Sequence, residues 1–271
     1  MTDRYEILAL KYARNDRPAS QNFIGGDAHD HSMPIDYYVW VIRNEARTIV
    51  VDTGFNPQSG GRRGRELITP VHTALSAVGV DFNAVEHVIT THMHYDHAGN
   101  NDLFPNACFY MQESEMRYAT GPCMCHHYLN HPYEVDDITG MVRRIYAGKV
   151  SFCVGDREIF PGITVHHIGG HSRGLQCVRV ETKRGPVVLA SDASHLYEHF
   201  QTGRVFPTCD SVSDTVVGYH RLKELAGRDS HIVPGHDPAV MNRYPSFNDQ
   251  TAAFAVKLDE DERSQGAGFT L

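Results

Sequence analysis

The sequence of 271 residues lacks the features that mark membrane, secreted and repetitive proteins. It contains no run of eighteen apolar residues, which argues against a transmembrane helix. Its start has neither the basic and apolar segments nor the small-residue cleavage site of a secretory signal, so we expect a cytoplasmic protein without a membrane partner. Internal repeats, Gly/Ser-rich linkers and low-complexity tracts are also absent, and we expect a single domain over residues 1–271.

Positive charge and cysteine are scarce, whereas histidine is abundant. Lysine and arginine total 25 against 33 acidic residues, and the net charge of −8 argues against nucleic acid as a partner because it repels a phosphate backbone. The six cysteines are too few and too scattered for a disulfide framework in a chain of this length. Histidine occurs 18 times, and this excess directs attention to metal binding.

Hydrophobic patterning predicts an α/β fold. Thr69 and Pro70 supply an N-cap and a first helical residue for one amphipathic helix, and further helices are predicted over 136–147 and, behind Ser211, over 212–226. Strands and helices alternate in two halves, which favours two sheets packed together with helices outside. The predicted strands include residues 37–43, 48–52, 87–91, 150–153, 163–168, 177–181, 186–190 and 231–234.

The predicted strand 87–91 runs directly into a histidine-rich segment. Four candidate metal ligands fall within six residues, in the pattern His-x-His-x-Asp-His. Because residues two apart in an extended chain face the same side, His92 and His94 can converge on one ion, while a turn brings Asp96 and His97 to a second. A solvated, histidine-rich loop is the alternative. It would not explain the order of the candidate ligands or the apolar strand that precedes them.

Three more candidate ligands follow predicted strands downstream. His171 lies in a glycine-supported turn, Asp192 ends a strand, and His236 follows another strand and a glycine. Each alone is more often a structural or surface residue than a ligand. Their joint presence with the segment from His92 to His97 favours metal binding.

Taken with these motifs, the chain resembles metallo-β-lactamase-fold hydrolases over most of its length, from the turn at Asp52 onward. The resemblance implies an α/β fold of the αββα sandwich type, with the site at the strand ends between two β-sheets. It also implies that Asp52 supports the metal-binding loops. The ligands implied are His92, His94 and His171 for one ion, Asp96, His97 and His236 for the other, and Asp192 as the bridge between them.

Within that superfamily the chain resembles the N-acyl-homoserine lactonases, on the Gly170-His171-Ser172 turn, the Asp192-Ala193-Ser194 segment and the compact length. The resemblance implies a quorum-quenching hydrolase in which a metal-bridging hydroxide opens a lactone ring, with Asp96 serving catalysis as well as metal binding. A small-molecule lactone is therefore the expected partner. Two divalent ions per chain are expected, and Zn²⁺ is favoured although Mn²⁺, Fe²⁺ and Co²⁺ also suit nitrogen and oxygen ligands.

Other functions stay open as alternatives. The enzyme could hydrolyse another small lactone, or a thioester in the manner of glyoxalase II, although the 35 residues after His236 are few for that family's helical substrate domain. Secreted β-lactamases are disfavoured by the missing signal and by Asp192, since they use no bridging carboxylate. Processing nucleases are disfavoured by the net charge. A metal-dependent sensor without turnover is the remaining alternative.

One position departs from the pattern of this branch. Many of its lactonases carry a tyrosine three residues after the bridging aspartate, where the hydroxyl can donate to the developing oxyanion. Here that position is His195, and a tyrosine follows at Tyr197. If residues 192–200 are extended, both side chains point to the same side, so either residue is a candidate donor.

Three further groups of residues receive structural or peripheral roles. Cys123, Cys125, His126 and His127 are a weak third metal site, and we favour a loop that covers the pocket, with Met124, Tyr128 and Tyr133 as contacts for the substrate's acyl chain. Tyr37, Tyr38 and Trp40 are expected to pack within the sheet. Arg62, Arg63 and Arg65 are expected to lie in a solvated loop.

Overall fold

The computed structural model describes residues 3–263, which form two β-sheets packed face to face with helices on the outer faces. The strands are β1 (Glu6–Asn15), β2 (Ile35–Arg43), β3 (Thr48–Val51), β4 (Glu66–Leu67), β5 (His87–Ile89), β6 (Cys108–Gln112), β7 (Val150–Cys153), β8 (Arg157–Phe160), β9 (Ile163–His167), β10 (Gln176–Thr182), β11 (Gly185–Ser191), β12 (Ile232–Pro234) and β13 (Ala255–Lys257). The α-helices are α1 (Pro57–Arg62), α2 (Val71–Ala77), α3 (Tyr95–Ala98), α4 (Glu113–Ala119), α5 (His127–Asn130), α6 (Val135–Tyr146), α7 (Tyr197–Thr202), α8 (Val212–Ala226) and α9 (Ala239–Arg243). Short 3-10 helices cover Ala19–Gln21, Phe82–Ala84, Asn101–Leu103, Pro122–Cys125 and Asp229–His231.

The first sheet has the strand order β13-β1-β2-β3-β5-β6-β7, and β4 pairs with β1. Its later part, from β3 through β5 and β6 to β7, is parallel, whereas the pairs that β1 and β2 form are antiparallel. The second sheet has the order β12-β11-β10-β9-β8 and is antiparallel except where β11 pairs with β12. The predicted αββα sandwich is confirmed.

Strand β2 shows how the apolar sequence of a strand matches its burial within this sandwich. All but the last of its residues are buried, because both faces of the first sheet are covered. Alternate side chains, including Tyr38 and Trp40, pack between the two sheets, while Tyr37 and Val39 belong to the core beneath the outer helices. A strand covered on both faces reads as a continuous apolar run, and this is the pattern of residues 37–43.

The helices follow the predicted pattern with one corrected boundary. Helix α8 begins where Ser211 Oγ accepts the Asp214 N–H and ends at Gly227, whose φ of 71° suits glycine. Helix α2 begins at Val71 with Pro70 at the N-cap and no side-chain cap, so the predicted Thr69 cap is wrong: the Thr69 N–H instead donates to the Tyr12 carbonyl. No helix within residues 3–263 is long and apolar enough to cross a membrane.

The expected extended run over residues 192–200 is also wrong, because helix α7 begins at Tyr197. Two contacts stabilise its first turn. The Tyr197 N–H donates to the Asp237 carboxylate at 2.9 Å, and the Leu196 N–H donates to Nδ1 of the His199 ring at 3.0 Å. The helical turn removes the common orientation that we expected for residues 195 and 197.

Candidate metal centre

The histidine-rich segment leaves the first sheet at the end of β5. The chain stays extended through His94, which is the N-cap of the one-turn helix α3, and Asp96 and His97 lie within that turn. The extended part and the turn therefore present two pairs of side chains from six consecutive residues. The side chains of His92, His94, Asp96 and His97 are all buried.

The second sheet supplies three more side chains from the ends of β9, β11 and β12. His171 follows Gly170, where φ is +80° and an added Cβ would lie 2.6 Å from the Thr215 nitrogen, so only glycine fits this turn. Asp192 follows directly after β11. His236 follows Gly235, where an added Cβ would come within 2.7 Å of the Ser191 backbone. Both sheets thus end at one shared centre.

The seven predicted ligands converge there in two groups, and within each group the candidate ligand atoms lie within 4.8 Å of one another. Asp192 lies between them: its oxygens are 3.1 Å from His171 Nε2, 3.2 Å from His97 Nε2 and 3.0 Å from His236 Nε2. The first group is His92, His94, His171 and Asp192, and the second is Asp96, His97 and His236. A third, overlapping group of the same geometry is Asp192, His195 and His236.

The donor atoms fit divalent metal ions. Nε2 of His92 is buried and has no hydrogen-bond partner among the described residues, an arrangement that costs about 1–3 kcal/mol unless a ligand is bound. The set contains imidazoles and carboxylates without a thiolate, which suits Zn²⁺ and neighbouring transition metals.

Electrostatics divide the imidazoles into two kinds. Burial lowers the pKa values of His92 and His94 well below the ordinary value, and neighbouring imidazoles lower them further, so both rings are neutral and can bind metal. Burial also opposes charge on His97, but Asp192, Asp96 and Asp52 outweigh it and raise the pKa of that ring well above its ordinary value. The three carboxylates thus favour positive charge at the position of His97, which is the charge that a metal ion would supply.

Asp52 supports the histidine-rich segment from behind. Its carboxylate accepts the Thr91 N–H and the Thr91 hydroxyl, each at 2.7 Å, and lies 2.7 Å from Nδ1 of His97. With Nδ1 facing Asp52, Nε2 of His97 faces the cluster. Asp52 itself has a φ of 60°, an uncommon backbone conformation for a residue other than glycine.

A second buried carboxylate, Glu115, was missed by sequence reasoning. It accepts hydrogen bonds from the Met93 N–H at 2.9 Å, the Ser172 hydroxyl at 2.8 Å, the Gly174 N–H at 2.9 Å and the Tyr133 hydroxyl at 3.1 Å. Met93 belongs to the first sheet's loop and Ser172 to the second, so one side chain joins both. No motif surrounds Glu115; only an acidic residue followed by buried helix positions could have drawn attention to it.

The structure separates the two candidate oxyanion donors. Nε2 of His195 lies 3.0 Å from Asp192, and its ring stacks on Phe206 with the centroids 3.7 Å apart. Tyr197 instead packs in the core between the sheets, where the Arg243 guanidinium lies 3.9 Å from its ring centroid. We therefore correct the expectation for Tyr197: helix α7 directs its hydroxyl away from the cluster.

A cavity of about 200 Å³ opens beside the cluster, and His195 and Phe206 line it. Two expectations are corrected by its walls. Tyr37 lines the cavity as well as packing in the sheet, and its ring centroid is 5.1 Å from that of His236. Arg63 and Arg65 also line it, and the Arg65 Nε donates to the Tyr95 hydroxyl at 3.0 Å, so these two residues do not belong to a merely solvated loop.

The cysteine-containing segment before α5 contributes no group of metal-binding geometry within residues 3–263. Tyr133 lies beneath the centre, with its ring centroid 4.6 Å from that of His94. Tyr128 is 67% exposed and donates to the Pro207 carbonyl, and Met124 packs against the outer core. The segment thus adjoins the site, and substrate contact by Met124 and Tyr128 stays a prediction.

Comparisons with known proteins find one matching family model and several similar lactonases. Residues 34–246 match the family model of the metallo-beta-lactamase superfamily. An N-acyl homoserine lactonase of a Bacillus species is 29% identical over 223 residues, which cover 75% of this chain and 82% of the relative. The N-acyl homoserine lactonase AttM of Azorhizobium caulinodans is 25% identical over 237 residues, covering 82% and 88%.

Solved structures show the same fold. A quorum-quenching N-acyl homoserine lactone lactonase superposes with a TM-score of 0.73 at 23% identity, covering 88% of this chain and 95% of that one. An N-acyl homoserine lactone hydrolase with N-hexanoyl-L-homoserine bound at its catalytic metal centre gives a TM-score of 0.73 at 22% identity, covering 89% and 96%.

The role of Asp52 can be tested by Asp52→Asn. The amide keeps the shape but removes the charge that orients His97, so we expect metal affinity to fall about 10–100-fold while the fold is retained. Competition with a chromogenic chelator measures the affinity, and Asp81→Asn, at an exposed aspartate outside the cluster, is the control. Unchanged affinity in Asp52→Asn would show that this carboxylate does not support the metal site.

Proposed function

The chain belongs to the metallo-beta-lactamase superfamily, and we propose that it is a single-domain, metal-dependent hydrolase that opens lactone rings. The observation that carries the proposal is the convergence of seven buried histidine and aspartate side chains beside a small cavity. The lactonase relatives support the choice of bond. N-acyl homoserine lactones are therefore the first substrates to test, and another small lactone is the alternative.

Two divalent ions would occupy the two ligand groups. We assign His92, His94 and His171 to one ion and Asp96, His97 and His236 to the other, with Asp192 shared between them, because each set lies within one group of neighbouring ligand atoms and Asp192 contacts members of both. When bound, such a pair of ions supplies a hydroxide nucleophile near neutral pH and polarises the ester carbonyl. Zn²⁺ is the ion that we expect, and Mn²⁺, Fe²⁺ and Co²⁺ suit the same ligands.

The chain's own contribution to the chemistry includes His195. Its ring lies at the cavity wall, where stacking on Phe206 fixes its plane and Nε2 lies 3.0 Å from Asp192. Burial lowers the pKa of His195 well below its ordinary value, although Asp192 opposes this, so the ring is neutral. The single proton of the neutral ring lies on Nε2, which faces the Asp192 carboxylate. With Asp192 bound to metal ions, the same N–H could donate a hydrogen bond to the carbonyl oxygen as negative charge develops there.

The metal assignment predicts close to two transition-metal ions per purified chain and loss of activity with a chelator. Asp192→Ala removes the shared ligand, so this variant should lose at least one ion. Elemental analysis measures the content, and Asp249→Ala, at an exposed position, should retain both ions. Full activity in a preparation without bound metal would refute the assignment.

The reaction class can be tested with a panel of short- and long-chain homoserine lactones, γ- and δ-lactones, a thioester, a lactam and a phosphodiester. We expect the best lactone to exceed all other classes in kcat/KM. Thioester hydrolysis faster than that of every lactone by orders of magnitude would assign the protein to thioester chemistry. Tight binding without turnover of any lactone, thioester or ester would identify a sensor.

The donor role predicts different outcomes for His195→Ala and Tyr197→Phe. Loss of an oxyanion donor costs about 10²–10³ in kcat, and we expect this loss only for His195→Ala. Tyr197→Phe should keep kcat within a fewfold because its hydroxyl lies in the core. Metal content and thermal unfolding are measured for both variants, since a loss of kcat counts only with both ions retained. Normal kcat in a metal-loaded His195→Ala variant would exclude the role.

A further inference from the structure

The cavity beside the ligand cluster is also lined by two arginines that form no ion pair with an acidic residue among residues 3–263. Arg17 and Arg65 both line the cavity and are half-buried. Within residues 3–263, no carboxylate forms an ion pair with either guanidinium, whereas Arg62 and Arg63 of the neighbouring turn both pair with Glu134 at 3.0 Å. Arg63 also lines the cavity, but Glu134 balances its charge, whereas Arg65 has no such partner among the described residues.

Arg17 is held in place by contacts that do not neutralise it. One of its terminal nitrogens donates to the Gln21 carbonyl, and its backbone carbonyl accepts the Met33 N–H at 2.9 Å. Its Nε is buried and has no hydrogen-bond partner among the described residues. A buried, charged donor of this kind is costly unless an acceptor binds to it.

Arg65 faces the same space from the other side. Its Nε donates to the Tyr95 hydroxyl, which orients the planar group and leaves its terminal nitrogens for a ligand. Burial lowers the pKa of Arg17, and the charge of Arg65 lowers it further while Tyr37 opposes the shift. Both guanidinium groups line the same cavity of about 200 Å³, and an anion bound between them would relieve the repulsion between their charges.

Short contacts connect both arginines to the ligand cluster. The guanidinium carbon of Arg17 is 5.1 Å from the centroid of Phe206, which stacks on His195, and His195 contacts Asp192. Tyr95, which holds Arg65, lies between the ligands His94 and Asp96 in the chain. A substrate group bound by the arginines would therefore lie about one side chain away from the ligand cluster. A small substrate could reach both places at once, with its ester at the cluster and a substituent at the arginines.

We propose that Arg17 and Arg65 form an anion-binding subsite, and that the preferred substrate is a small lactone that carries a carboxylate. This proposal rests on the proposed lactone hydrolysis. Paired guanidinium groups match the planar carboxylate through parallel N–H donors. A cavity of about 200 Å³ suits a substituted five- or six-membered ring, and its few apolar wall residues, such as Ile35 and Phe206, offer little surface for a long acyl chain.

The test compares two lactones of equal size, 5-oxotetrahydrofuran-2-carboxylate and its neutral carboxamide, with the metal-loaded enzyme. We expect kcat/KM for the carboxylate to exceed that for the carboxamide by about tenfold or more, since hydrogen bonds between charged groups are worth that much or more. Arg17→Gln and Arg65→Gln should each reduce this ratio about tenfold, mainly through KM. Arg62→Gln, on the same loop but outside the cavity wall, should keep the ratio.

A binding measurement separates this proposal from lactone hydrolysis itself. The lactam analogues 5-oxopyrrolidine-2-carboxylate and its carboxamide have the same shape as the lactone pair, and calorimetry gives their affinities for the metal-loaded protein. Tighter binding of the carboxylate that is lost in Arg17→Gln and Arg65→Gln supports the subsite even if no lactone is opened, in which case only the proposed reaction fails.

Three results would overturn the subsite. The first is equal kcat/KM for the carboxylate and the carboxamide, and the second is a preference for carboxylates that persists in both glutamine variants. The third is tight carboxylate binding that the variants leave unchanged, because the anion would then bind at the metal ions. Arg17→Lys and Arg65→Lys, which keep the charge, are the second variants if either glutamine variant fails to fold. They should retain part of the ratio, because lysine cannot form the paired contact.

Discussion

The contact on which the site depends is the one between the Asp52 carboxylate and the segment after β5. Asp52 is fully buried, and burial raises its pKa, an effect that the contacts with His97 and Thr91 oppose. These contacts hold the start of the histidine-rich segment against the end of β3 and leave Nε2 of His97 facing the cluster. Since an unpaired buried carboxylate would be strongly unfavourable, the positions of the strand end and the ligand are coupled.

Glu115 is a second buried carboxylate that joins separate segments, and its contacts connect the two sheets of the sandwich. Its carboxylate binds the Met93 N–H from the first sheet's loop and the Ser172 hydroxyl and Gly174 N–H from the second. An added Cβ on Gly174 would lie 2.2 Å from the Glu115 nitrogen, so the two backbones approach as closely as glycine permits. Each group of candidate ligands combines side chains from both sheets, and this buried carboxylate keeps the two sheets in register where hydrophobic packing, which has no direction, could not.

The ligand cluster could be predicted from the sequence for two reasons. Its first four residues are close together in the chain, and the others follow strands that end at the same edge of the sandwich. His92 to His97 occupy six consecutive residues, and His171 and Asp192 each follow a strand whose end lies at the same edge. Tyr197 was misplaced because Asp237, forty residues further on, caps the turn that begins there. Glu115 and Arg65 could not be found, because only distant packing decides whether a carboxylate or a guanidinium faces a cavity or solvent.

The residues that account for the metal chemistry lie in a local motif and at strand ends, whereas the residues that we propose for substrate selectivity are placed by distant packing. The family match over residues 34–246 includes every ligand of the cluster, so membership in the superfamily accounts for the metal chemistry. Arg17 precedes that range and reaches the cavity only because Phe206 and the 3-10 helix at Ala19–Gln21 position it. A relative could therefore share all seven ligands and lack this charge. In the proposed subsite the substrate would be selected by residues other than the candidate ligands, and resemblance at the ligand cluster alone indicates the class of bond that is broken but not the molecule that carries it.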